Sequence, residues 1–263
     1  MQAFAYQQPT SLAEAQQAVG AAGARFLAGG QSLLPAMKLG LSAPESLVDL
    51  GGIAELKSIR VSGGTVTLGA MATHASVAES QAVRDTLPAL AELAGNIGDR
   101  QVRNRGTIGG SLANNDPAAD YPAAVLALGA TIHTDRRTIA ADDFFKALYE
   151  TALAEGEIIT AVSFPVPTKA GWQKFKQPAS RFSLVGVFVA QGPQGARVAV
   201  TGAGPCAFRV KALEDKLAAS WSPTSCDGVK IDAAGLNSDL HGSADYRAAL
   251  IPVLAKRAVQ AAG

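Results

Sequence analysis

With 263 residues, 48% of them hydrophobic and 17% charged, the chain is long enough to bury a full core and too apolar to be disordered. A formal net charge of +1 without any basic run argues against nucleic acid or an anionic membrane as the main partner. No apolar stretch approaches bilayer length, Phe182–Ala190 being the longest candidate, and Met1–Thr10 lacks the pattern of a signal peptide.

The expected setting is therefore the cytoplasm. Only Cys206 and Cys226 are present, whereas an iron–sulfur cluster normally takes four thiolates, so no cluster is expected on this chain. In a reducing compartment the two are expected as free thiols. His74, His133 and His241 lack metal-ligand spacing, and aromatic residues, at 6%, are too scattered for a base-stacking platform.

Along the chain, Phe4-Ala5-Tyr6 reads as a short strand ended by Pro9-Thr10. Ser11-Leu12-Ala13-Glu14 is a capping box that opens a helix with Leu12, Ala15, Val19 and Ala22 on one face. Arg25–Ala28 reads as a buried strand running into Gly29-Gly30, and Ser46–Leu50 as a second buried strand. Leu56–Val61 and Thr65–Leu68 flank Ser62-Gly63-Gly64, a hairpin turn sequence. Thr73 or Ser76 is expected to cap a helix, Pro88–Gly95 to form a stronger one, and Asn96–Asn115 to be a polar, glycine-punctuated loop. A helix across Tyr121–Leu128, a hairpin of Thr131–Thr134 with Arg137–Ala140, and a strand Glu157–Phe164 follow. Beyond Pro165–Gly171, two long β-like runs, Ser183–Ala190 and Ala196–Thr201, are joined by a Gly-Pro-Gln-Gly turn. Helices Arg209–Ala219 and Tyr246–Ala262 complete the chain.

Two segments carry chemistry. Ala28-Gly29-Gly30-Gln31-Ser32-Leu33-Leu34-Pro35 follows a strand and exposes backbone N–H groups at a tight turn, with Ser32 able to add a hydroxyl. Thr107-Ile108-Gly109-Gly110-Ser111 repeats that pattern about eighty positions later. Two such turns suit a diphosphate gripped from both sides. Neither matches the dinucleotide G-x-G-x-x-G or the P-loop pattern, and spacing alone does not name the ligand.

Ala28–Pro35 together with Thr107–Asp120 (TIGGSLANNDPAAD) closely resembles the FAD-binding medium subunit of molybdenum-containing hydroxylases, the carbon monoxide dehydrogenase and xanthine dehydrogenase family. Phe4-Ala5-Tyr6 with Ser11-Leu12, Gln101–Gly106, Phe175-Lys176-Gln177, Gly204-Pro205 with Arg209, and His241–Arg247 extend the resemblance over nearly the whole chain. It implies an α+β chain: a two-part PCMH-type (vanillyl-alcohol-oxidase-like) FAD-binding domain, divided into 1–55 and 56–168, then a small α+β domain, 169–263, with an antiparallel sheet. It implies that Leu27, Ala28, Gly29, Gly30, Gln31, Ser32, Leu33 and Leu34, with Thr107, Ile108, Gly109, Gly110 and Ser111, bind the FAD pyrophosphate. By the same resemblance Asp120 accepts from ribitol or ribose hydroxyls, Ile97 lies against the flavin or its ribityl chain, Ile159 against the adenine, and Lys176 near the isoalloxazine. From the residues alone, Asp120 reads equally as a helix N-cap, Ile97 and Ile159 as core, and Lys176 as a solvated lysine.

Gln31 stands where the family often has His, and Asn114-Asn115 replaces a commoner His-Ala pair; both keep the turns polar. Pro178-Ala179-Ser180-Arg181 lacks the acidic pair of xanthine dehydrogenases, which weakens the case for NAD as electron acceptor over quinone, cytochrome or oxygen. No histidine lies in either glycine turn, so FAD is expected without a covalent link through histidine there. The resemblance implies an oxidoreductase subunit that relays electrons, with a small [2Fe–2S] subunit and a large molybdopterin subunit as partners in a dimerised heterotrimer. A stand-alone FAD-dependent oxidoreductase and a non-catalytic nucleotide-binding protein are the alternative readings.

Overall fold

In a computed structural model describing residues 2–263, three short strands build the first sheet: β1 (Ala5–Gln7), β2 (Ala24–Leu27) and β3 (Ser46–Asp49). They are parallel, in the order β1-β3-β2. Central β3 is buried throughout, which accounts for its unbroken apolar reading. The helix Leu12–Val19 connects β1 to β2. Ser11 Oγ accepts from the Glu14 N–H at 3.2 Å, while the Glu14 carboxylate accepts from the Thr10 N–H at 2.8 Å, one residue before the cap. Of its expected apolar face only Ala15 is fully buried; Leu12 and Val19 are half-buried, and Ala22 lies exposed past the helix end. The expectation of a buried strand before Gly29 also fails. β2 is an edge strand, with Leu27 buried and Arg25 exposed, because it borders a large cavity.

The second sheet begins with a hairpin of β4 (Ile59–Ser62) and β5 (Thr65–Gly69). Gly63 and Gly64 take φ of +55° and +72°, the left-handed pair that a two-residue hairpin turn requires. The hairpin starts later than expected because Ala54–Lys57 coils into a 3₁₀ turn. β6 (Thr131–Thr134) pairs with β7 (Thr138–Ala140), and β8 (Phe145–Ala147) with β9 (Glu150–Thr151) makes a small separate hairpin. β10 (Ile159–Pro165) then returns to the middle, giving the antiparallel order β4-β5-β10-β6-β7. Helices His74–Glu79, Gln81–Thr86, Pro88–Gly95 and Tyr121–Ala127 share one apolar cluster with this sheet. Thr73 is the cap expected before the first of them, accepting from the Ser76 N–H at 3.1 Å.

Asn96–Asn115 is not a loop. It holds two helices, Arg100–Arg105 and Ile108–Asn114, each started by a side chain. Asp99 Oδ1 accepts from the Val102 N–H at 2.8 Å, and Thr107 Oγ1 from the Gly110 N–H at 3.2 Å. The glycines disguise the second helix. At Gly109 a Cβ would lie 2.6 Å from the Ala70 Cβ, so glycine there serves close packing against the neighbouring chain rather than flexibility.

The last sheet is antiparallel: β11 (Lys169–Lys176), β12 (Ser183–Gly192), β13 (Gly195–Thr201) and β14 (Phe208–Arg209), in that order. β12 buries both faces. Val185, Val187 and Val189 pack with the helices Lys211–Ala219 and Ala244–Ala261, whereas Phe188 and Ala190 join Trp172 and the helix Tyr121–Ala127 in the larger cluster. That cluster runs from Val66 to Ala207, so the second and third sheets share one core. β11 carries no apolar alternation beyond Trp172, since Lys169, Gln173, Lys174 and Lys176 interrupt it, and it escapes a pattern reading. Among the described residues no helix is long and apolar enough to cross a membrane.

Candidate functional site

The two glycine turns meet. At Gly29 a Cβ would lie 2.1 Å from the Arg105 carbonyl oxygen, and at Gly110 one would lie 3.1 Å from the Ala28 Cβ and 4.0 Å from the Gly29 nitrogen. Side chains at either glycine would force the turns apart. Gly30 has φ +73°, and the Leu34 side chain packs beneath it. The turns border a cavity of about 1000 Å³ that extends between the first sheet, the second sheet and β11.

Ala28, Gly29, Gly30, Gln31, Ser32 and Leu33 line this cavity from the first turn, and Thr107, Gly109, Gly110 and Ser111 from the second. Ile97, Asp120 and Ile159 line it as well. The remaining expected residues sit elsewhere. Leu27 packs with Met37 and Leu47, Ile108 is fully buried in the main core, and Leu34 supports Gly30. Lys176 faces a smaller adjoining cavity, where its ammonium donates to Asn96 Oδ1 at 2.6 Å.

The turns are not chemically equivalent. The backbone N–H groups of Gly29, Gly30, Gln31, Ser32 and Leu33 donate to no acceptor among the described residues. Those of the second turn are committed: Ile108 to Ala72 O, Gly109 to Ala70 O, Gly110 to Thr107 Oγ1 and Ser111 to Thr107 O. The first turn thus offers a run of free donors of the kind that suits an anion. The second offers glycine surface for close approach, with the Ser111 hydroxyl beside it. The sequence pattern is alike because both turns need glycine, for different reasons.

Asp120 does not cap the helix Tyr121–Ala127 with its side chain. Its carboxylate accepts from Lys174 Nζ at 2.5 Å and Ser183 Oγ at 2.7 Å, and both charged partners are almost completely buried. Burial pushes the Asp120 carboxyl up, while Lys174 and Ser183 pull it down. A carboxylate has about four acceptor positions, so hydroxyl donors can still reach it.

Lys174 and His74 line the cavity without having been singled out by the sequence. Lys174 lies two residues from Lys176 on one strand, hence on the same face, a relation visible only once β11 is recognised. His74 is 5% exposed, its Nδ1 unpartnered and its ring 5.4 Å from that of Tyr121. Burial holds its pKa at about 4, with Arg103 acting the same way, so the ring is neutral near pH 7.

Residues 2–167 match the model of the family described as "FAD binding domain in molybdopterin dehydrogenase". The chain belongs to that FAD-binding family. It is 38% identical to the carbon monoxide dehydrogenase medium chain of Hydrogenophaga pseudoflava, over 98% of this chain and 96% of that one. It is 39% identical to the nicotine 6-hydroxylase medium subunit of Paenarthrobacter nicotinovorans, over 91% and 89%. Its fold superposes on the reconstituted carbon monoxide dehydrogenase of Oligotropha carboxidovorans with TM-score 0.90 and 32% identity, covering 99% of this chain and 98% of that one. This family member is accordingly an FAD-binding oxidoreductase subunit of the medium-chain type, with the expected mixed α and β architecture.

The residues present fit FAD. Five consecutive residues with unpaired amides line the cavity, and on the opposing turn a Cβ at Gly110 would crowd the Ala28 Cβ. That is the steric and donor pattern a pyrophosphate needs.

Proposed function

We propose that this chain is the electron-transfer subunit of a molybdenum hydroxylase complex, taking electrons from iron–sulfur clusters of a partner subunit and passing them to an external acceptor. The observation that carries the reading is the free-amide turn opposed by a second glycine turn, in a chain that covers 96% of the length of a carbon monoxide dehydrogenase medium chain. Bound non-covalently, FAD supplies the chemistry that exchanges single electrons for pairs.

The pyrophosphate rests on Ala28–Leu33 and against Thr107–Ser111, with Leu27, Leu34 and Ile108 holding the turns from behind. Ile159 takes the adenine side of the cavity, and Ile97 with Lys174 the flavin side, with Lys176 in the adjoining cavity beside it, where cations favour the reduced, anionic ring. Asp120 accepts from sugar hydroxyls and anchors Lys174. The partners are a small [2Fe–2S] subunit and a large molybdopterin subunit, in a dimerised heterotrimer. Its setting is the cytoplasm, where Cys206 and Cys226 stay reduced. The units 1–55, 56–168 and 169–263 are proposed as the domains.

Purification from the native host tests this reading. The expected product contains flavin, iron and molybdenum in comparable amounts. A preparation that carries flavin alone and is fully active favours the stand-alone oxidoreductase and rejects the relay.

A further inference from the structure

Beside the large cavity, sharing Gly98 and Arg181 with it, lies a second cavity of about 270 Å³. Three cations stand in its wall, Arg103, Lys176 and Arg181, and no carboxylate does. None of the three is in an ion pair among the described residues; their acceptors are neutral oxygens. Arg103 Nη1 donates to the Ile97 and Gly98 carbonyls at 3.1 and 3.2 Å. Lys176 donates to Asn96 Oδ1 at 2.6 Å, and Arg181 Nη1 to the Gly98 carbonyl at 3.4 Å.

Arg103 is half-buried and Lys176 and Arg181 are exposed, whereas the molecule's well-buried cations are paired. Lys174, Arg197 and Arg247, the well-buried cations, each face a carboxylate, as does half-buried Arg209. Two acids close to this cavity in sequence or contact, Asp99 and Asp120, hold other groups. Asp99 caps the Val102 N–H, and Asp120 holds Lys174 and Ser183. Three like charges around one concavity repel one another, and neutral oxygens do not cancel that charge. The arrangement is complementary to a counter-ion, and two guanidinium groups with an ammonium suit the tetrahedral or planar oxygens of phosphate and carboxylate.

We propose that this cavity is a binding subsite for an oxyanion, the phosphate or carboxylate group of a small molecule that comes up to the flavin end of the FAD site. Its position relative to the flavin rests on the reading above; its affinity for an oxyanion does not. The bound anion is either free in solution or part of an anionic electron acceptor.

The experiment uses the FAD-loaded complex and titrates inorganic phosphate calorimetrically, with flavin content read from the visible spectrum. Wild type is expected to show one saturable site per chain, and Arg103→Gln with Arg181→Gln to weaken it about tenfold or more, the scale of one lost charge-assisted hydrogen bond or two. Arg181→Gln alone, at an exposed loop position, supplies a variant whose folding is not at issue, and a smaller loss in the same direction is expected. Flavin content is expected to stay unchanged in both. A rise in KM for ferricyanide, an anion, with that for neutral benzoquinone unmoved, identifies an anionic acceptor as the source; unmoved KM values with lost phosphate binding identify a free anion.

Absence of a saturable site in wild type, or unaltered phosphate affinity in both variants, overturns the proposal. So does loss of FAD, which would make the cations part of the cofactor site, or loss of the other subunits, which would make the face a protein interface. If wild type carries no flavin the electron-relay reading fails, and the phosphate titration still decides this one.

Discussion

His74 carries a proton balance that the fold itself imposes. Its ring is buried against Tyr121, and its pKa falls from 6.5 to about 4. Because the folded value is the lower one, the unfolded chain binds more protons between these limits. The contribution to stability is complete above pH 6.5 and is lost as pH falls towards 4, by roughly 3 kcal/mol. Urea midpoints measured from pH 7.5 downwards are expected to drop across that window, and His74→Leu is expected to flatten the drop. An unchanged acid limb in the variant would refute the assignment. Glu157 titrates lower, its pKa held at about 2 chiefly by Arg137, so its share of acid stability is lost between 4.5 and 2, and the two windows overlap only near pH 4.

At the scale of elements, the two glycine turns and their short helices form one clamp. Gly110 sits in the first turn of the helix Ile108–Asn114, where a Cβ would already lie 3.0 Å from Thr107 Oγ1 and 3.1 Å from the Ala28 Cβ. Gly110→Val is expected to abolish FAD retention while the far-ultraviolet circular dichroism stays native, because the γ-methyl groups project into the gap between the turns. Normal flavin content in that variant would refute the proposed geometry. The turns were legible from sequence because paired glycines within polar segments stand out, the first of them directly after a strand. The helices around the second turn were not, since their caps, Asp99 and Thr107, are common polar residues and their glycines argue against helix.

For the whole molecule, the third sheet reaches the cavity through Lys174. This side chain, 4% exposed, pairs with Asp120 and also donates to the Asn96 carbonyl at 3.3 Å, so β11 is tied to the helix Tyr121–Ala127 and to the end of Pro88–Gly95. Lys174→Met leaves a buried carboxylate without its counter-charge and is expected to cost about 3 kcal/mol. The double variant with Asp120→Asn is expected to cost less than the sum of the singles, measured by denaturant unfolding in a double-mutant cycle. Strict additivity would show that the pair does not couple the sheet to the cavity wall.

What the chain's letters determined by themselves was the presence of two paired-glycine turns, most of the strands and helices with strong local patterns, and a family resemblance that the comparisons bear out. Those features depend on short-range chemistry: glycine's freedom, caps, and apolar periodicity. Tertiary structure decided which turn keeps its amides free, because that depends on whether Ala70 and Ala72 lie near enough to accept from the second. It also decided that Lys174 rather than Lys176 faces the large cavity, that Asp120 is a buried ion-pair partner rather than a cap, and that Arg103 meets Arg181. Each of these is a meeting of residues far apart in the chain, and no local pattern encodes the distance between them.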